Sequence, residues 1–300
     1  MQRQLTQTDG AKRAMNVEGR KIDRYIVDRE IGSGSTGTVY RARSLEGNMT
    51  VAIKILHADL AHVPGIVTMF DEEANVGLQL NHPNIVRPLK VGRHEGVSYI
   101  VFEYVPGVPL GSLLVSGPLP EGQCLWIMRQ IGQALRLLAS KNIVHQDVKP
   151  DNILIDNAGN AKLTDLGFAR MPLGKIDWDG CSAGTISYMS PEQASGITGT
   201  LVDVRSDLYA LGATIYHAAT GQPPVVAERD HEVIEAHLTK KSVSARARNP
   251  QVSAELSAVL DKLLEKDPQM RYQQPAELLL ALRMLKVHAV PPVVTVSRVY

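Results

Sequence analysis

The amino-acid sequence predicts an α+β chain folded as two lobes, and three observations carry that prediction. Strand-type segments fill residues 25 to about 104, and helical apolar periodicity fills about 105 to 286, with "VPG" at the change of pattern. The chain has 300 residues, 44% of them hydrophobic, enough for two ordinary domains or one large two-lobed unit.

The elements follow in order. Residues 1–24 are polar, mildly basic and without apolar period, which predicts a mobile tail. The segments "YIVDREIG", "GTVYRAR", "MTVAIKIL", "IVRPLKVG" and "SYIVFEYV" carry β-branched or aromatic residues between Gly, Asn and Pro punctuation, and each reads as a strand. One helix, over 67–80, interrupts them. Beyond residue 105, Leu125, Met128, Ile131, Leu135 and Leu138 recur at helical spacing and end at "SKN". Further helices are expected over 207–220, stopped by Gly221, and over 228–238, 254–266 and 276–287. The remainder, 287–300, holds two prolines and no helix period, so a tail or linker is expected.

Composition narrows the function classes. Lys and Arg total 32 against 31 Asp and Glu, a formal charge of +1, so no global field favours nucleic acid or an anionic membrane. Cys124 and Cys181 have no ligand-spaced partners, which excludes a zinc pattern and fits a reducing compartment. "LLLALRML" contains Arg283 and is too short to span a bilayer, and the N-terminus lacks the apolar middle of a signal peptide. A cytoplasmic chain without a membrane segment is expected. The eight histidines outside the 144–152 loop form no i, i+4 metal pair with a supporting carboxylate.

Several short stretches could carry chemistry. "IGSGSTGTVY" sets Gly32, Gly34 and Gly37 in a GxGxxG pattern, which alone is explained equally by a flexible hairpin. A dinucleotide-binding unit would follow it with a helix; here the strand-like "TVYRAR" follows. A glycine hairpin whose backbone N–H groups approach phosphates fits better. "VAIK" puts Lys54 in an apolar strand, where an edge lysine with its head in water is the plain reading. Glu73, on the first helix, offers a carboxylate to hold that ammonium. "VHQDVKPDN" is more polar than a turn requires. "KLTDLGFAR" delivers Asp165 to a glycine turn, and Asp165 with Asn152 offers the hard oxygens that magnesium takes beside nucleotide phosphates. That leaves Asp147 to orient a hydroxyl.

In order, "GSGSTG", "VAIK", Glu73, "HQDVKPDN", "DLG" and "SPE" resemble the protein kinase signature set, over residues 25–286. "LNHPNIV", "GTISYMSPEQ", "SDLYALG" and "KDPQMRY" look most like the eukaryotic-like serine/threonine kinases of bacteria. The resemblance implies a two-lobed kinase fold: an N-lobe antiparallel sheet with one main helix over 25–104, and a mostly helical C-lobe over 105–286. It implies transfer of the γ-phosphoryl group of ATP to Ser/Thr hydroxyls of proteins, with Mg²⁺ or Mn²⁺. Gly32, Ser33, Gly34, Ser35 and Gly37 would cover the phosphates; Lys54, held by Glu73, would engage them; Asn152 and Asp165 would hold the metal. Asp147 would take the hydroxyl proton and Lys149 would steady the γ-phosphate. Ile31, Val39, Ala52 and Leu154 would line the adenine pocket, with Glu103 and Val105 as the hinge and Phe102 as gatekeeper. His145 would shape the catalytic loop, Asp207 would bond its backbone, and Glu192 would pair with Arg271. Ser182 and Thr185 fall in the activation loop, and autophosphorylation in trans is a further implication.

This chain departs from the pattern at two places. Gln146 stands where most relatives have an arginine that grips a phosphorylated activation loop, so weak dependence on such phosphorylation is expected. The apolar stack linking the lobes would contain Gly77, Pro88, Leu166 and His145, of which the first two are small, so a partner that orders the Glu73 helix is also expected. The competing reading is a pseudokinase scaffold, which loss of Lys54, Asp147, Asn152 or Asp165 would favour; all four are present. A relative of aminoglycoside kinases would carry histidine in place of Lys149 and lack "SPE".

Overall fold

The computed structural model describes residues 17–34, 36–166, 186–196, 202–227 and 229–294, without the side chain of Glu73. The chain divides into two compact units, residues 1–75 with 88–104 and residues 76–87 with 105–300.

The first unit is an antiparallel sheet of order β1-β2-β3-β4-β6-β5. Its strands are β1 (Lys21–Ile22), β2 (Tyr25–Ser33), β3 (Gly37–Ser44), β4 (Thr50–Leu56), β5 (Pro88–His94) and β6 (Val97–Glu103), with helix α1 (Pro64–Leu78) after β4. Strand alternation sorts the side chains of β4. Val51 and Ile53 enter a core with Val27, Tyr40, Ala42, Tyr99 and Val101, while Ala52 and Lys54 face the other way. The β5–β6 hairpin closes through Glu95 (φ 50°) and Gly96 (φ 83°), a two-residue turn with both φ positive that matches the strand twist.

The chain joins this sheet earlier than a tail over 1–24 allows. Val17 and Ile22 are buried in the same core, β1 pairs with β2, and Gly19 N–H donates to the Val27 carbonyl oxygen at 2.9 Å. Two apolar side chains in a polar stretch are too few to register as a period, yet they suffice once β2 offers an edge.

The second unit contains β7 (Gly107–Pro109), β8 (Ile153–Asp156) and β9 (Ala161–Leu163) as a small antiparallel sheet of order β7-β8-β9. Its helices are α2 (Leu110–Leu114), α3 (Glu121–Ser140), α4 (Pro191–Ala194), α5 (Val204–Thr220), α6 (Asp230–Thr239), α7 (Ala245–Arg248), α8 (Ala254–Leu263) and α9 (Pro275–Arg283). The α3 stripe of Leu125, Met128, Ile131, Leu135 and Leu138 is fully buried in the core. α5 is buried on nearly every face, starts where the Asp203 side chain accepts from Arg205 N–H, and stops at Gly221 (φ 83°). Gly212 lets α8 approach, since a Cβ there would lie 2.6 Å from Leu263 Cβ.

Two further segments differ from the sequence reading, beyond shifts of a few residues at helix ends. "IVRPLKVG" is not one strand: Ile85 bridges Leu163 in parallel, and Val86 N–H donates to the Leu163 carbonyl oxygen at 2.8 Å. Only from Pro88 does the chain join the first unit. The C-terminal stretch docks rather than trailing: Val287, Ala289 and Val294 pack on the core, and Val290 N–H donates to the Gly122 carbonyl oxygen at 2.9 Å. A Cβ on Gly122 would lie 2.7 Å from the His288 carbonyl oxygen, so the approach depends on that glycine.

Candidate active site

In the first unit the glycine-rich segment is the β2–β3 hairpin, with Gly32 opposite Val39, Ser33 opposite Thr38, and Gly34 N–H donating to the Gly37 carbonyl oxygen at 2.9 Å. The three glycines do different work. A Cβ on Gly37 would lie 2.4 Å from the Ile55 carbonyl oxygen, so β4 packing requires that glycine. A Cβ on Gly32 would meet nothing within 4 Å, and one on Gly34 would meet only the Gly37 oxygen at 3.8 Å. Among the described residues no neighbouring atom demands glycine at 32 or 34, which leaves their bare backbone available to a ligand. Ile31 is exposed and Val39 half-buried beside them; Ser35 lies outside the described residues.

Lys54 is not an edge lysine. β4 lies between β3 and β6, Lys54 is only 6% exposed, and its Nζ lies 5.8 Å from the Phe70 ring centroid on α1. Placing an ammonium there costs free energy that a solvated surface lysine never incurs. Glu73 lies on α1. Phe102 is opposite Ala52 and both are buried, while Glu103 closes β6.

The second unit holds the loop from Val144 to Asn152. Asp207, on α5, accepts from the His145 and Gln146 backbone N–H groups, each at 2.8 Å, one on each carboxylate oxygen. Burial pushes its carboxyl up to about 7 although both N–H donors pull it down. His145 is wholly buried. Its Nδ1 accepts from Asp147 N–H at 3.3 Å, which leaves the ring proton on Nε2, 3.1 Å from the Thr164 carbonyl oxygen. Burial depresses its pKa, and the neutral ring locks the loop to the strand end that leads to Asp165.

Asp147 is the focus of that loop. Its Oδ2 receives Lys149 Nζ at 2.9 Å and Asn152 Nδ2 at 2.8 Å; the same Nδ2 also donates to the Asp147 carbonyl oxygen at 2.9 Å. Asn152 sits in a 3-10 turn, Pro150–Asn152, whose proline needs no N–H partner. With both amide hydrogens committed to Asp147, the Asn152 Oδ1 is turned away from it as a hard oxygen donor. Asp165 adds a carboxylate just past β9 and holds φ +62°, a left-handed conformation that a non-glycine residue adopts at a cost and that clusters at functional sites. Among the described residues there is no group of three or more His, Cys, Asp or Glu that could hold a metal ion. The Asn152 amide oxygen and the Asp165 carboxylate are hard donors of the type Mg²⁺ takes, too few to hold an ion without ligands from a nucleotide and water.

Glu192 and Arg271 meet in the core, Nη1–Oε1 at 2.7 Å and Nη2–Oε2 at 2.8 Å, with Ser206 Oγ donating to Oε1 at 2.7 Å. Burial would raise the Glu192 carboxyl, but the guanidinium holds it below its ordinary value. Ser182 and Thr185 lie outside the described residues. Gly77, Pro88, Leu166 and His145 are all buried. Sequence reasoning missed Gln193, whose Nε2 donates to the Gln146 carbonyl oxygen at 2.9 Å. The Ser190 capping box of α4 was readable as S-x-x-Q, but a tether across 47 residues leaves no local signal.

A glycine hairpin and a buried lysine on a central strand in one unit, and an Asp-Lys-Asn cluster behind a buried histidine in the other, are the kinds of group that phosphoryl transfer uses. The family model described as "Protein kinase domain" matches residues 25–281, and the chain belongs to that family. It is 36% identical over 277 residues to the serine/threonine-protein kinase PknB of Mycobacterium leprae, covering 90% of this chain and 44% of that protein. It is 38% identical over 258 residues to PrkC of Bacillus subtilis, covering 85% of this chain and 39% of that one. The chain thus spans less than half the length of these curated relatives. The crystal structure of the Mycobacterium tuberculosis PknI kinase domain superposes with a TM-score of 0.69 at 26% identity, over 89% of this chain and 97% of that one. These relatives place it with the bacterial-type serine/threonine protein kinases.

Proposed function

We propose that the chain transfers the γ-phosphoryl group of ATP to serine or threonine hydroxyls of proteins, including other copies of itself. The observation that carries this reading is the Asp147 carboxylate, with Lys149 and Asn152 converging on one of its oxygens and the other left to receive a hydroxyl proton. The acceptor oxygen attacks the γ-phosphorus, the bond to the β–γ bridging oxygen breaks, and the proton passes to Asp147. Lys149 neutralises the equatorial oxygens, Lys54 holds the α and β phosphates with Glu73 as its partner, and Gly32 and Gly34 cover them. Asn152 and Asp165 would hold Mg²⁺, which when bound supplies further charge neutralisation. Adenine contacts come from Ile31, Val39, Ala52 and Leu154, with hydrogen bonds from the Glu103 and Val105 backbone. Loss of a group such as Asp147 raises the barrier by on the order of 3 kcal/mol.

The neutral Gln146 side chain lacks the guanidinium fork that grips a phosphate, so activity depends little on activation-loop phosphorylation. Dephosphorylation is expected to leave the rate on a peptide within about tenfold; a hundredfold fall refutes this. The reading as a whole is tested with labelled ATP, Mg²⁺ and a generic basic protein, against Asp165→Ala. Incorporation no higher than in that variant, in substrate and chain alike, would establish the scaffold reading instead. Among the described residues no helix is long and apolar enough to cross a membrane.

A further inference from the structure

Gln193 has none of the roles the family resemblance implies, yet its side chain joins two parts of the site. Its Oε1 accepts from Ser190 Oγ at 2.9 Å and from Ser190 N–H at 3.2 Å. Two donors at that end fix it as the oxygen end, so the amide NH₂ faces the Gln146 carbonyl oxygen at 2.9 Å. At 5% exposure no bulk water competes for either end.

The residue it grips is strained. Gln146 holds φ +67°, a conformation that costs a non-glycine residue on the order of 1–2 kcal/mol and persists only when its surroundings over-determine it. Asp207 holds the N–H of residue 146 and Gln193 holds its C=O, so the peptides on both sides of residue 146, the second of which leads into Asp147, are fixed. One clamp comes from α5 and the other from the segment that opens α4.

The structure assigns Gln193 the role of positioning residue: it ties the "SPEQ" segment to the peptide ahead of Asp147 and fixes that carboxylate without a phosphorylated anchor. This rests on the kinase reading above and deepens it. Gln193 acts through the Gln146 backbone, and its neutral amide needs no phosphate to do so.

Gln193→Glu tests the assignment, because it keeps an acceptor for Ser190 and replaces the NH₂ with an oxygen opposed to the Gln146 oxygen. Only the neutral acid can donate there, and burial raises the new carboxyl above its ordinary value. Near pH 8 we expect kcat on a peptide to fall about tenfold or more, with KM for ATP within about twofold. Near pH 6 the deficit relative to wild type closes to about threefold as the acid protonates. Hydrogen exchange of residues 145–148 should quicken in the variant near pH 8 and recover in parallel. Gln193→Met removes the donor without a charge and should lower kcat at every pH with no recovery; if the Glu variant does not fold, this one decides. A pH-independent ratio of Gln193→Glu to wild type, or wild-type kcat and exchange in Gln193→Met, overturns the assignment. A wild-type chain that transfers no phosphate, with the exchange difference intact, counts against the kinase reading and leaves the tether standing.

Discussion

Arg271→Met isolates the buried ion pair that supports the segment carrying Gln193. Arg271 is 2% exposed and Glu192 7%, so neither charge has water to fall back on. The guanidinium makes two bonds to the carboxylate, at 2.7 and 2.8 Å, and donates to the Glu265, Arg205 and Lys266 carbonyl oxygens at 2.8, 2.9 and 3.0 Å. Methionine refills much of the volume, which keeps the cavity term small. The dominant cost is Glu192 left buried with, among the described residues, Ser206 as its one side-chain donor, about 3–5 kcal/mol for removing one partner of such a pair. A native stability of about 5–15 kcal/mol makes that a large fraction. The double variant Glu192→Met, Arg271→Met leaves no lone charge, and should be more stable than the sum of the single losses by about 2 kcal/mol or more. The pair also has a pH signature. Glu192 is held below its ordinary 4.5 in the folded chain, so its contribution is complete above that value and lost as pH falls through the lower folded one; Arg271→Met loses it at neutral pH already. Urea unfolding of the four proteins reads both effects. A loss under about 1 kcal/mol in Arg271→Met, or strict additivity of the single variants, would refute the reasoning.

The glycine hairpin separates packing from binding: Gly37→Ala should destabilise by about 1–3 kcal/mol through its 2.4 Å approach to Ile55, measured by thermal melting. Gly32→Ala should leave the melting temperature unchanged and raise KM for ATP, since the added Cβ meets no protein atom. His237 is fully buried beside Tyr209, and burial, reinforced by Lys266, lowers its pKa from 6.5 to about 4. The unfolded chain therefore binds the proton first, and stability is lost as pH falls from about 6.5 to 4, by about 3 kcal/mol in total. His237→Gln should flatten that part of a pH–stability curve. Gly122→Ala pushes a Cβ to 2.7 Å from the His288 carbonyl oxygen and should release residues 287–294, read as faster exchange of the Val290 amide.

What could be read in advance follows from how far each signal reaches along the chain. The α3 stripe was legible because five apolar residues repeat at helical spacing within fourteen positions, and burial of each follows from that period. The stop of α5 at Gly221 was legible from a glycine after a periodic run, and the structure shows the left-handed cap that explains it. "IVRPLKVG" misled because β-branched residues favour extended backbone without naming the neighbouring strand. Val86 and Pro88 are two residues apart, yet one bonds to Leu163 and the other pairs with Phe102. Lys54 was ambiguous for the same reason. "VAIK" shows a lysine in an apolar strand, and only the placement of β4 between β3 and β6 buries it.

By itself the sequence determined the chemistry on offer: glycines at 32, 34 and 37, a lysine at 54, and Asp147, Lys149, Asn152 and Asp165 in that order. It also determined that Gln146 carries no charge to hold a phosphate. The tertiary structure decided how Gln146 is held instead: Asp207, already expected to bond the loop backbone, takes its N–H, and Gln193, which the sequence did not single out, takes its carbonyl oxygen. Composition and period describe residues near one another in the chain. A clamp made from positions 146, 193 and 207 exists only after the second unit has folded and excluded the water that would otherwise satisfy each group.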